Sequence, residues 1–505
     1  MTSEVLTLGL AGAKGNIVTA ECIVTGSFPG FEIIGLPDAA VKESRDRIRA
    51  TVKSLGLYIP DVKVTINLAP AGQKKEGAVY DLPMLIALLS QLEKIKAPDK
   101  KTAFIGELSL SGELRPVRGV LSMALAAKAA GIKTLFVPKE NAKEASLAGE
   151  ELTVYGAKSA RDVTMHLNGD CKLRREAYKA PEREKIKGGP DFSDVRGQEN
   201  VKRALEIAAA GGHNILMIGP PGSGKSMLAS RIPSILPDMT MEEALESTEI
   251  HSVSGLVSGD NPLLTSRPFR SPHHSTSAVS LSGGGSSLRP GEISLAHNGV
   301  LFLDELPEFH RDVLEVLRQP METGEVTISR VAGTAVYPAR FMLVCAMNPC
   351  KCGWYGYEGE AHVCTCTQTS VDKYMGKISG PLLDRIDIQI NVESVTFEDM
   401  SRKGEVAESS ETIRKRVNRA REKAVRRGVT SNAALSPRKL HELANLSPEA
   451  EALLKAAFDS MGLTGRSYDK ILKVALTIAD MAESDVILPE HIAEAIQYRS
   501  LDRKV

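Results

Sequence analysis

A glycine-rich octapeptide constrains the fold of this chain more than any other part of its sequence. It follows the apolar run 215–218 and precedes the helix-forming residues Met227, Leu228 and Ala229. Its spacing is G-x-x-x-x-G-K-[ST], and its members are Gly219, Pro220, Pro221, Gly222, Ser223, Gly224, Lys225 and Ser226. Glycines at these positions let backbone N–H groups turn inward around a phosphate, and the helix N-terminus adds positive potential. The octapeptide therefore predicts an α/β fold with a phosphate-binding loop between a strand and a helix.

Two residues of the octapeptide and a distant acidic pair predict a reaction as well as a ligand. We expect Lys225 to reach the β- and γ-phosphates of ATP and Ser226 to give a hydroxyl ligand to Mg²⁺. The apolar run 301–303 ends in Asp304 and Glu305. In this arrangement we expect Asp304 to bind the metal and Glu305 to contact an attacking water. The simpler alternatives are a glycine-rich turn with a chance lysine and a strand end with two solvated acids. The strand and the helix around the octapeptide favour ATP and Mg²⁺.

The composition excludes several classes of protein. Hydrophobic residues make up 42% of the chain and charged residues 25%, as in ordinary soluble globular proteins. Lys and Arg number 63, as do Asp and Glu, so the net charge indicates neither a nucleic acid nor a membrane as partner. No apolar run approaches the ~20 residues that cross a bilayer, and the first twenty residues lack the features of a secretory signal. We therefore expect a cytoplasmic protein with no membrane partner.

The order of apolar patterns predicts several domains. At roughly 150 residues per domain, a chain of 505 residues has room for about three. The strand 62–68 belongs to a first α/β region, and the runs 215–218, 300–303 and 341–346 predict parallel strands of a second. After Phe397 the pattern is helical, with helices predicted at 411–427, 436–444, 448–461, 469–481 and 489–499. The predicted segments are a domain at 1–171, a charged linker at 172–190, an ATPase core at 191–395 and a helical lid at 396–505.

Two further stretches carry a resemblance to a known family. The first is Arg270-Ser271-Pro272-His273-His274, and the second runs from Arg289 through the acidic pair to Phe309. They closely resemble the YifB/ComM family of magnesium-chelatase-like AAA+ ATPases, and the likeness spans the chain from Gly35-Leu36-Pro37-Asp38 to 495–500. The resemblance implies a P-loop AAA+ core with a helical lid, assembled as a ring, most often a hexamer. It also implies DNA as the partner, in branch migration or helicase-like reactions of recombination or natural transformation.

The resemblance assigns roles to three polar residues outside the octapeptide. Asn348 takes the place of a sensor beside the γ-phosphate, Arg385 looks like the finger that enters the neighbouring subunit's site, and Arg466 is similar to a second sensor on the lid. A turn before Pro349 is the simpler interpretation of the asparagine, and a surface ion pair that of either arginine. The chain departs from the family at Leu476, a lid position where the resemblance leads us to expect arginine.

The N-terminal region resembles the peptidase domain of Lon proteases. The clearest shared runs are Gly131-Ile132-Lys133-Thr134 and Val137-Pro138-Lys139-Glu140-Asn141. Val79 stands where the resemblance places the nucleophilic serine, and Met123 stands where it places the lysine. Neither side chain can attack a carbonyl or move a proton. We therefore expect a Lon-peptidase-like fold without the peptidase dyad, used for assembly or substrate contact.

Four of the seven cysteines form two C-x-C pairs. They are Cys350, Cys352, Cys364 and Cys366, and a polar, glycine-rich loop separates the pairs. Four thiolates brought together suit tetrahedral Zn²⁺, and His362 is an alternative ligand in place of one sulfur. Free thiols in an exposed loop are the simpler interpretation, because the spacing is not the commoner C-x-x-C.

Basic residues concentrate in one predicted helix and in two predicted loops. The helix 411–427 carries eight cationic side chains, which suit either nucleic-acid phosphates or a solvated surface. The ring resemblance places loops within 268–287 and the hairpin 324–338 at the pore. These two stretches contain Arg270, His273, His274 and Arg330.

Three functions compete on this evidence. The first is an ATP-driven ring motor acting on DNA. The second is a metal-chelatase motor subunit that remodels a partner protein. The N-terminal domain argues against it, because we expect such subunits to lack this domain. The third is an ATP-dependent protease, which Val79 and Met123 disfavour. The DNA motor ranks first because of the family resemblance, whereas ATP hydrolysis rests on the residues themselves.

Overall fold

The computed structural model describes most of the chain. The residues that it describes are 2–26, 28–178, 189–257, 259, 261–285, 288–330, 333–357, 363–393 and 407–499. The predicted linker at 172–190 and the predicted boundary at 395–396 therefore lie largely or wholly outside the described residues. Within the linker, Arg175–Glu176 form a short strand that pairs antiparallel with Val154 and Tyr155. The sheet thus extends into the predicted linker, because an edge strand tolerates charged side chains that face water.

An eight-stranded mixed sheet organises the N-terminal part of the described chain. Alternation along one strand buries Val64, Ile66 and Leu68, as the sequence predicts. In spatial order the strands are Arg175–Glu176, Thr153–Ala157, Thr134–Pro138, Thr102–Phe104, Ser3–Ala11, Lys14–Thr25, Lys63–Ala69 and Gly30–Ile34. The helices packed on this sheet are Ala39–Ser54, Asp81–Gln91, Val120–Ala129, Ala142–Ser146 and Ala160–Asn168.

The two positions aligned with the Lon dyad lie at one apolar cluster of this domain. Met123 is buried in the cluster, and Val79 packs against it. The cluster also contains Leu8, Leu135 and Val137, so these positions are surrounded by aliphatic side chains. Their surroundings suit packing, and neither the aliphatic nor the thioether side chain can serve as nucleophile or base of a peptidase.

A second sheet of five parallel strands forms the centre of the chain, which confirms the predicted parallel arrangement. In spatial order the strands are Phe269–Arg270, Val300–Leu303, Met342–Met347, Ile215–Ile218 and Ile388–Asn391. The three inner strands are buried throughout because helices cover both faces. The helices of this part are Glu199–Gly211, Lys225–Ala229, Ile232–Ile235, Met241–Ser254, Ala278–Ser282, Glu292–Leu295, Arg311–Glu315, Arg318–Thr323, Gln368–Met375 and Gly380–Leu383.

The C-terminal part is helical, as the sequence predicts. Its helices are Ser410–Arg426, Pro437–Leu443, Pro448–Met461, Gly465–Met481 and Pro489–Gln497. Four of them begin at Ser or Thr side chains that accept a backbone N–H, at Ser409, Ser436, Ser447 and Thr464. Leu476 is buried in the apolar core that the lid shares with helix Glu199–Gly211. In the described chain, no helix has the length and apolar character that a membrane span requires.

The N-terminal domain docks on the central domain through helix Met241–Ser254. The backbone N–H of Gly119 donates to the carbonyl of Ser252 at 3.1 Å, and the hydroxyl of Ser252 donates to the buried carboxylate of Glu144. An apolar cluster surrounds this contact, and it consists of Leu121, Leu147, Met239, Ala244 and Leu263. The two domains are therefore joined by packed side chains and by direct hydrogen bonds.

Glu249 on the same helix gives a pH-dependent prediction. Burial, together with the negative charge of Glu246, raises the pKa of its carboxyl to about 7, and Lys14 of the N-terminal domain opposes the shift. Folding therefore loses stability as pH rises towards 7, because the unfolded carboxyl ionises near its ordinary value whereas the folded one stays protonated. We expect Glu249→Gln to raise the unfolding midpoint at pH 8 by about 2–4 °C. The difference should vanish near pH 4, which thermal unfolding at both pH values would check.

Candidate nucleotide-binding site

The glycine-rich octapeptide lies where the sequence predicts, between strand Ile215–Ile218 and helix Lys225–Ala229. Gly222 and Gly224 have positive φ of 78° and 86°, a conformation that other residues rarely adopt. Lys225 is buried at the centre of the loop, where its ammonium donates to the carbonyls of Gly219 and Pro220 at 2.7 and 2.8 Å. Burial lowers the pKa of Lys225, and the charge of Asp304 opposes that shift. A phosphate at this position would supply the negative charge that the lysine lacks.

The predicted magnesium ligands meet at the end of strand Val300–Leu303. The hydroxyl of Ser226 donates to the carboxylate of Asp304 at 2.5 Å, so two oxygens from separate elements face one another. Hydroxyl and carboxylate oxygens are the hard ligands that Mg²⁺ prefers. The residues present therefore fit the metal, and Mg²⁺ held there would neutralise charge on the β- and γ-phosphates.

Asn348 also lies at this site. It follows strand Met342–Met347, which is the neighbour of both the strand before the octapeptide and the strand before Asp304. Its side-chain carbonyl accepts a hydrogen bond from Lys225 at 3.3 Å. The carboxyl ends of parallel strands meet at one edge of the sheet. Lys225, Asp304 and Asn348, which are far apart in sequence, therefore lie together.

Glu305 has a partner that sequence reasoning missed. The side chain of His274 lies 3.3 Å from its carboxylate, Nδ1 to Oε2, and the Glu305 backbone has a positive φ of 53°. From the sequence, His274 is expected in a pore loop, with no contact to the acidic pair. The family stretch Arg270–His274 was the available signal, but only the fold shows that this stretch reaches Glu305.

Gln198 is a second residue that sequence reasoning missed. It stands before helix Glu199–Gly211 with a positive φ of 64°. Its side-chain amide donates to the carbonyl of Ser223 at 3.3 Å and to the carbonyl of Glu393 at 2.6 Å. The amide thereby fastens the phosphate-binding loop to the end of strand Ile388–Asn391, a link that no local sequence pattern indicates.

The two predicted arginines have ion-pair partners within their own chain. Arg385 is largely buried, and it donates to the carboxylate of Glu322 and to the carbonyl of Pro381. Arg466 is 73% exposed and lies 3.5 Å from the carboxylate of Asp384. The ion pair of the simpler interpretation is therefore present for both arginines, at the surface for Arg466 and largely buried for Arg385. For either side chain to reach a nucleotide, its ion pair must first open.

Arg466 lines an open cleft of about 840 Å³ between the lid and the central domain. Its walls include Asp384, His441, Phe458, Tyr468 and Asp469. Nε2 of His441 donates a hydrogen bond to the carboxylate of Asp469 at 3.0 Å, and the His441 ring stacks on Tyr468. The cleft places Arg466 beside Asp384, the residue that precedes Arg385 in the chain.

The four predicted metal ligands come together. The sulfur atoms of Cys350, Cys352, Cys364 and Cys366 all lie within 4.8 Å of one another. The shortest separation is 3.3 Å, between Cys350 and Cys352. Tetrahedral zinc with Zn–S bonds of about 2.3 Å places its sulfurs about 3.8 Å apart, so the cluster fits zinc. The backbone N–H of Trp354 lowers the pKa of Cys352 to about 6. His362, the alternative ligand, lies outside the described residues.

The cationic helix is neutralised by its surroundings. Within Ser410–Arg426 and at Arg427, each of the eight basic side chains has a partner in the chain. Arg416 binds both Glu206 and Glu408, and Arg427 binds the buried carboxylate of Asp480. The others are held by Asp238, Glu411, Glu483, the carbonyls of Ala209 and Thr430, Asp485 and Glu422. The helix therefore resembles a solvated, ion-paired face more than a free phosphate-binding surface.

The cationic side chains of the predicted pore elements differ in exposure and in ion pairing. Strands Glu325–Arg330 and Gly333–Pro338 form the predicted hairpin, and Arg330 is exposed near its tip. Arg270 instead forms a two-point ion pair with Glu292, with distances of 2.6 and 2.8 Å. It was grouped with the pore cations, but in the structure it holds strand Phe269–Arg270 against helix Glu292–Leu295. The hairpin thus presents an exposed cation at Arg330, whereas Arg270 is held in an ion pair.

Comparison with known proteins covers the whole chain. Residues 191–400 match the family described as magnesium chelatase, subunit ChlI, and residues 407–499 match the C-terminal region of that subunit. Residues 20–141 match a model described as subunit ChlI of Mg-chelatase, so the N-terminal region no longer argues against a chelatase-type protein.

Several individual proteins are similar to this chain. YifB of Escherichia coli (strain K12), described as uncharacterized, is 43% identical over 502 residues, covering 99% of this chain and 97% of that protein. The competence protein ComM of Haemophilus influenzae is 42% identical over 498 residues, covering 97% of this chain and 96% of that protein. A Lon protease of Koribacter versatilis is 32% identical over 144 residues, 27% of this chain and 18% of that protein. Full-length similarity and a converged phosphate-binding site agree, and the chain belongs to the YifB/ComM family of magnesium-chelatase-like AAA+ ATPases.

Proposed function

We propose that this protein is an ATP-hydrolysing ring motor that acts on DNA. One observation carries the ATPase part of the proposal: Lys225, Asn348 and the Ser226–Asp304 pair converge at the carboxyl ends of three neighbouring parallel strands. In this arrangement Lys225 binds the phosphates, Ser226 and Asp304 hold Mg²⁺, and Asn348 orients the attacking water. Glu305 at the same strand end takes the proton from that water.

Assembly into a ring, which we propose to be a hexamer, supplies the remaining charge. In the assembled state Arg385 leaves Glu322 and enters the neighbouring subunit's site. There it stabilises negative charge on the phosphoryl group that is being transferred. Arg466 closes on the nucleotide from the lid of its own chain. The single-chain ion pairs of both arginines keep them from binding elsewhere before assembly.

DNA is proposed as the substrate on two grounds. The ComM relative is named a competence protein, and the resemblance to its family implies DNA as the partner. The exposed hairpin Glu325–Arg330 and Gly333–Pro338 also offers a cationic tip at Arg330 that suits a phosphate backbone. We therefore propose branch migration or a helicase-like activity in recombination or natural transformation.

A comparison of ATPase rates with and without forked DNA tests this proposal. We expect forked DNA to stimulate the rate, and Arg330→Ala to reduce the stimulation while leaving the DNA-independent rate unchanged. A matched control is Arg438→Ala, an exposed arginine on the lid. Absence of both stimulation and strand separation would contradict DNA as the substrate.

A second candidate is a chelatase-type motor that remodels a partner protein. The descriptions of the three matching family models favour it, since each names subunit ChlI of magnesium chelatase. An ATPase that assembles into a ring but gives the same rate with and without DNA would support this alternative. Peptidase activity is not proposed, because apolar Val79 and Met123 occupy the dyad positions.

We further propose that the four-cysteine cluster binds zinc. Its donors are two pairs of thiols at tetrahedral spacing, and zinc is the common protein metal with a preference for four thiolates. Zinc there would be structural, since four protein ligands leave no open position for a substrate.

The proposed finger gives a direct prediction. We expect Arg385→Ala to lower the ATPase turnover by about 1000-fold, because an arginine supplied in trans contributes about 10³–10⁵ to phosphoryl transfer. Nucleotide affinity should stay within about threefold, since within its own chain Arg385 binds Glu322 and the carbonyl of Pro381. Steady-state ATPase and fluorescent-nucleotide titration measure the two quantities.

A mixing experiment distinguishes a finger in trans from a residue acting within its own chain. Arg385→Ala protomers mixed with Lys225→Ala protomers should recover part of the activity, because each supplies what its neighbour lacks. Arg318→Ala, at a nearby arginine paired with Glu315, is the matched control and should be active. No recovery on mixing would contradict a shared site.

A further inference from the structure

The turn between the first two cysteines touches the phosphate-binding loop. Gly353 has a positive φ of 89°, and its backbone N–H donates to the carbonyl of Cys350 at 3.0 Å. It lies so close to Pro221 that a Cβ on Gly353 would stand 2.6 Å from the Cδ of that proline and 2.8 Å from its Cγ. Since real Cβ atoms do not approach so near, the turn and the loop are in direct contact, backbone against a rigid ring.

The same cluster is connected to the loop by a second route. Cys350 is buried and follows Asn348 by two residues, and Asn348 accepts the hydrogen bond from Lys225 at 3.3 Å. The cluster thus reaches the octapeptide through Gly353 and Pro221, and reaches its lysine through Asn348. Two connections to one loop make the position of the turn a determinant of the position of the loop.

The position of the turn Cys350–Gly353 depends in turn on the contacts between the two cysteine pairs. The turn Cys350–Gly353 meets the second cysteine pair mainly at sulfur atoms, with Cys350 3.8 Å and Cys352 3.5 Å from Cys364. Backbone N–H groups of Cys352 and Thr365 add hydrogen bonds to the sulfurs of Cys366 and Cys352. Thiol–thiol contacts are weak, whereas a metal bound to four thiolates joins the two pairs firmly. A bound metal would therefore add four strong bonds to the weak contacts that join the turn Cys350–Gly353 to the second cysteine pair.

We propose that zinc bound by the four cysteines holds the phosphate-binding loop in its nucleotide-binding conformation through the Gly353–Pro221 contact, so that ATP affinity depends on the metal. This inference rests on the proposed ATP-binding function and adds a metal-dependent control of it. Zinc acts here without taking part in the phosphoryl transfer. The chain then binds ATP well only when its cysteine cluster is loaded.

The first test measures metal and nucleotide on the full-length protein. We expect one zinc per chain by elemental analysis. Removing it with a chelator that spares Mg²⁺ should weaken the binding of a fluorescent ATP analogue at least tenfold, and stoichiometric zinc should restore it. Circular dichroism recorded beside each titration shows whether the fold persists.

The second test separates the contact from the metal. Gly353→Ala should retain its zinc and yet bind the ATP analogue about tenfold more weakly, because the added methyl pushes the turn away from Pro221. Gly356→Ala is the matched control, since Gly356 lies in the same loop with a positive φ of 74° and open space around its Cα. It should keep both zinc and wild-type affinity.

The outcomes separate this inference from the proposed function. Purified protein without zinc, or zinc-free protein with unchanged nucleotide affinity, would overturn the inference and leave the ATPase proposal intact. Equal affinities in Gly353→Ala and Gly356→Ala would overturn the contact as the means of transmission. Zinc-loaded protein that binds no nucleotide would remove both proposals.

Discussion

Glu305→Gln is expected to abolish ATP hydrolysis while leaving ATP binding intact. The substitution keeps the size of the side chain and its place at the end of strand Val300–Leu303, but an amide cannot accept the proton of an attacking water. A general base contributes about 10²–10⁴ to the rate, so turnover should fall at least 100-fold. Affinity should stay within about threefold, because Lys225 donates its hydrogen bonds to Gly219, Pro220, Ser223 and Asn348 and none to Glu305.

The assembled state gives a second readout for this variant. If a ring forms on ATP, then protein that binds without hydrolysing should remain assembled, which size-exclusion chromatography in MgATP measures. Glu308→Gln is the matched control, since Glu308 is a nearby acid paired with Lys377 and should be active. Equal turnover in Glu305→Gln and wild type would contradict the role of this carboxylate.

Lys225→Ala is expected to remove ATP binding itself. The ammonium is the buried cation at the centre of the octapeptide, and a hydrogen bond between charged groups is worth about 1.5–3 kcal/mol, or about 10–150-fold in affinity. Because burial lowers the pKa of this lysine, its charge costs stability in the free protein. We therefore expect the variant to unfold at the wild-type temperature or slightly above it without nucleotide.

Titration with a fluorescent ATP analogue and thermal unfolding separate loss of affinity from loss of fold. Lys351→Ala is the control, because Lys351 is an exposed lysine in the neighbouring cysteine turn. Wild-type affinity in Lys225→Ala would contradict the assignment of the octapeptide. ATP should raise the unfolding midpoint of the control and leave that of Lys225→Ala unchanged.

Features carried by contiguous residues could be predicted from the sequence. The strands 215–218 and 300–303 lie where their apolar runs end at the octapeptide and at Asp304, since local patterning determines both. The two C-x-C pairs were predicted to meet, and their sulfurs do meet. The lid helices lie within a few residues of their predicted bounds because serine, threonine, proline and glycine mark their ends.

Features that depend on distant partners could not be predicted. The contacts between His274 and Glu305, Arg385 and Glu322, and Gly353 and Pro221 join segments whose separation only the folded sheet removes. The basic helix makes the same point. Its charge alone allowed either a nucleic acid or a solvated face, and its acidic partners, such as Glu206 and Asp480, lie on other helices.

Helix Met241–Ser254 connects the N-terminal domain to the segment that precedes Asp304 and Glu305. Near its end, the hydroxyl of Ser252 is fastened to Glu144, while Ser247 donates to the carbonyl of His297 and the ring of His251 lies 3.0 Å from the carbonyl of Leu295. Those carbonyls belong to the segment that leads into the strand ending at Asp304. A displacement of the N-terminal domain would therefore move this segment through the helix. Binding of a partner to the N-terminal domain would then change the rate of ATP turnover.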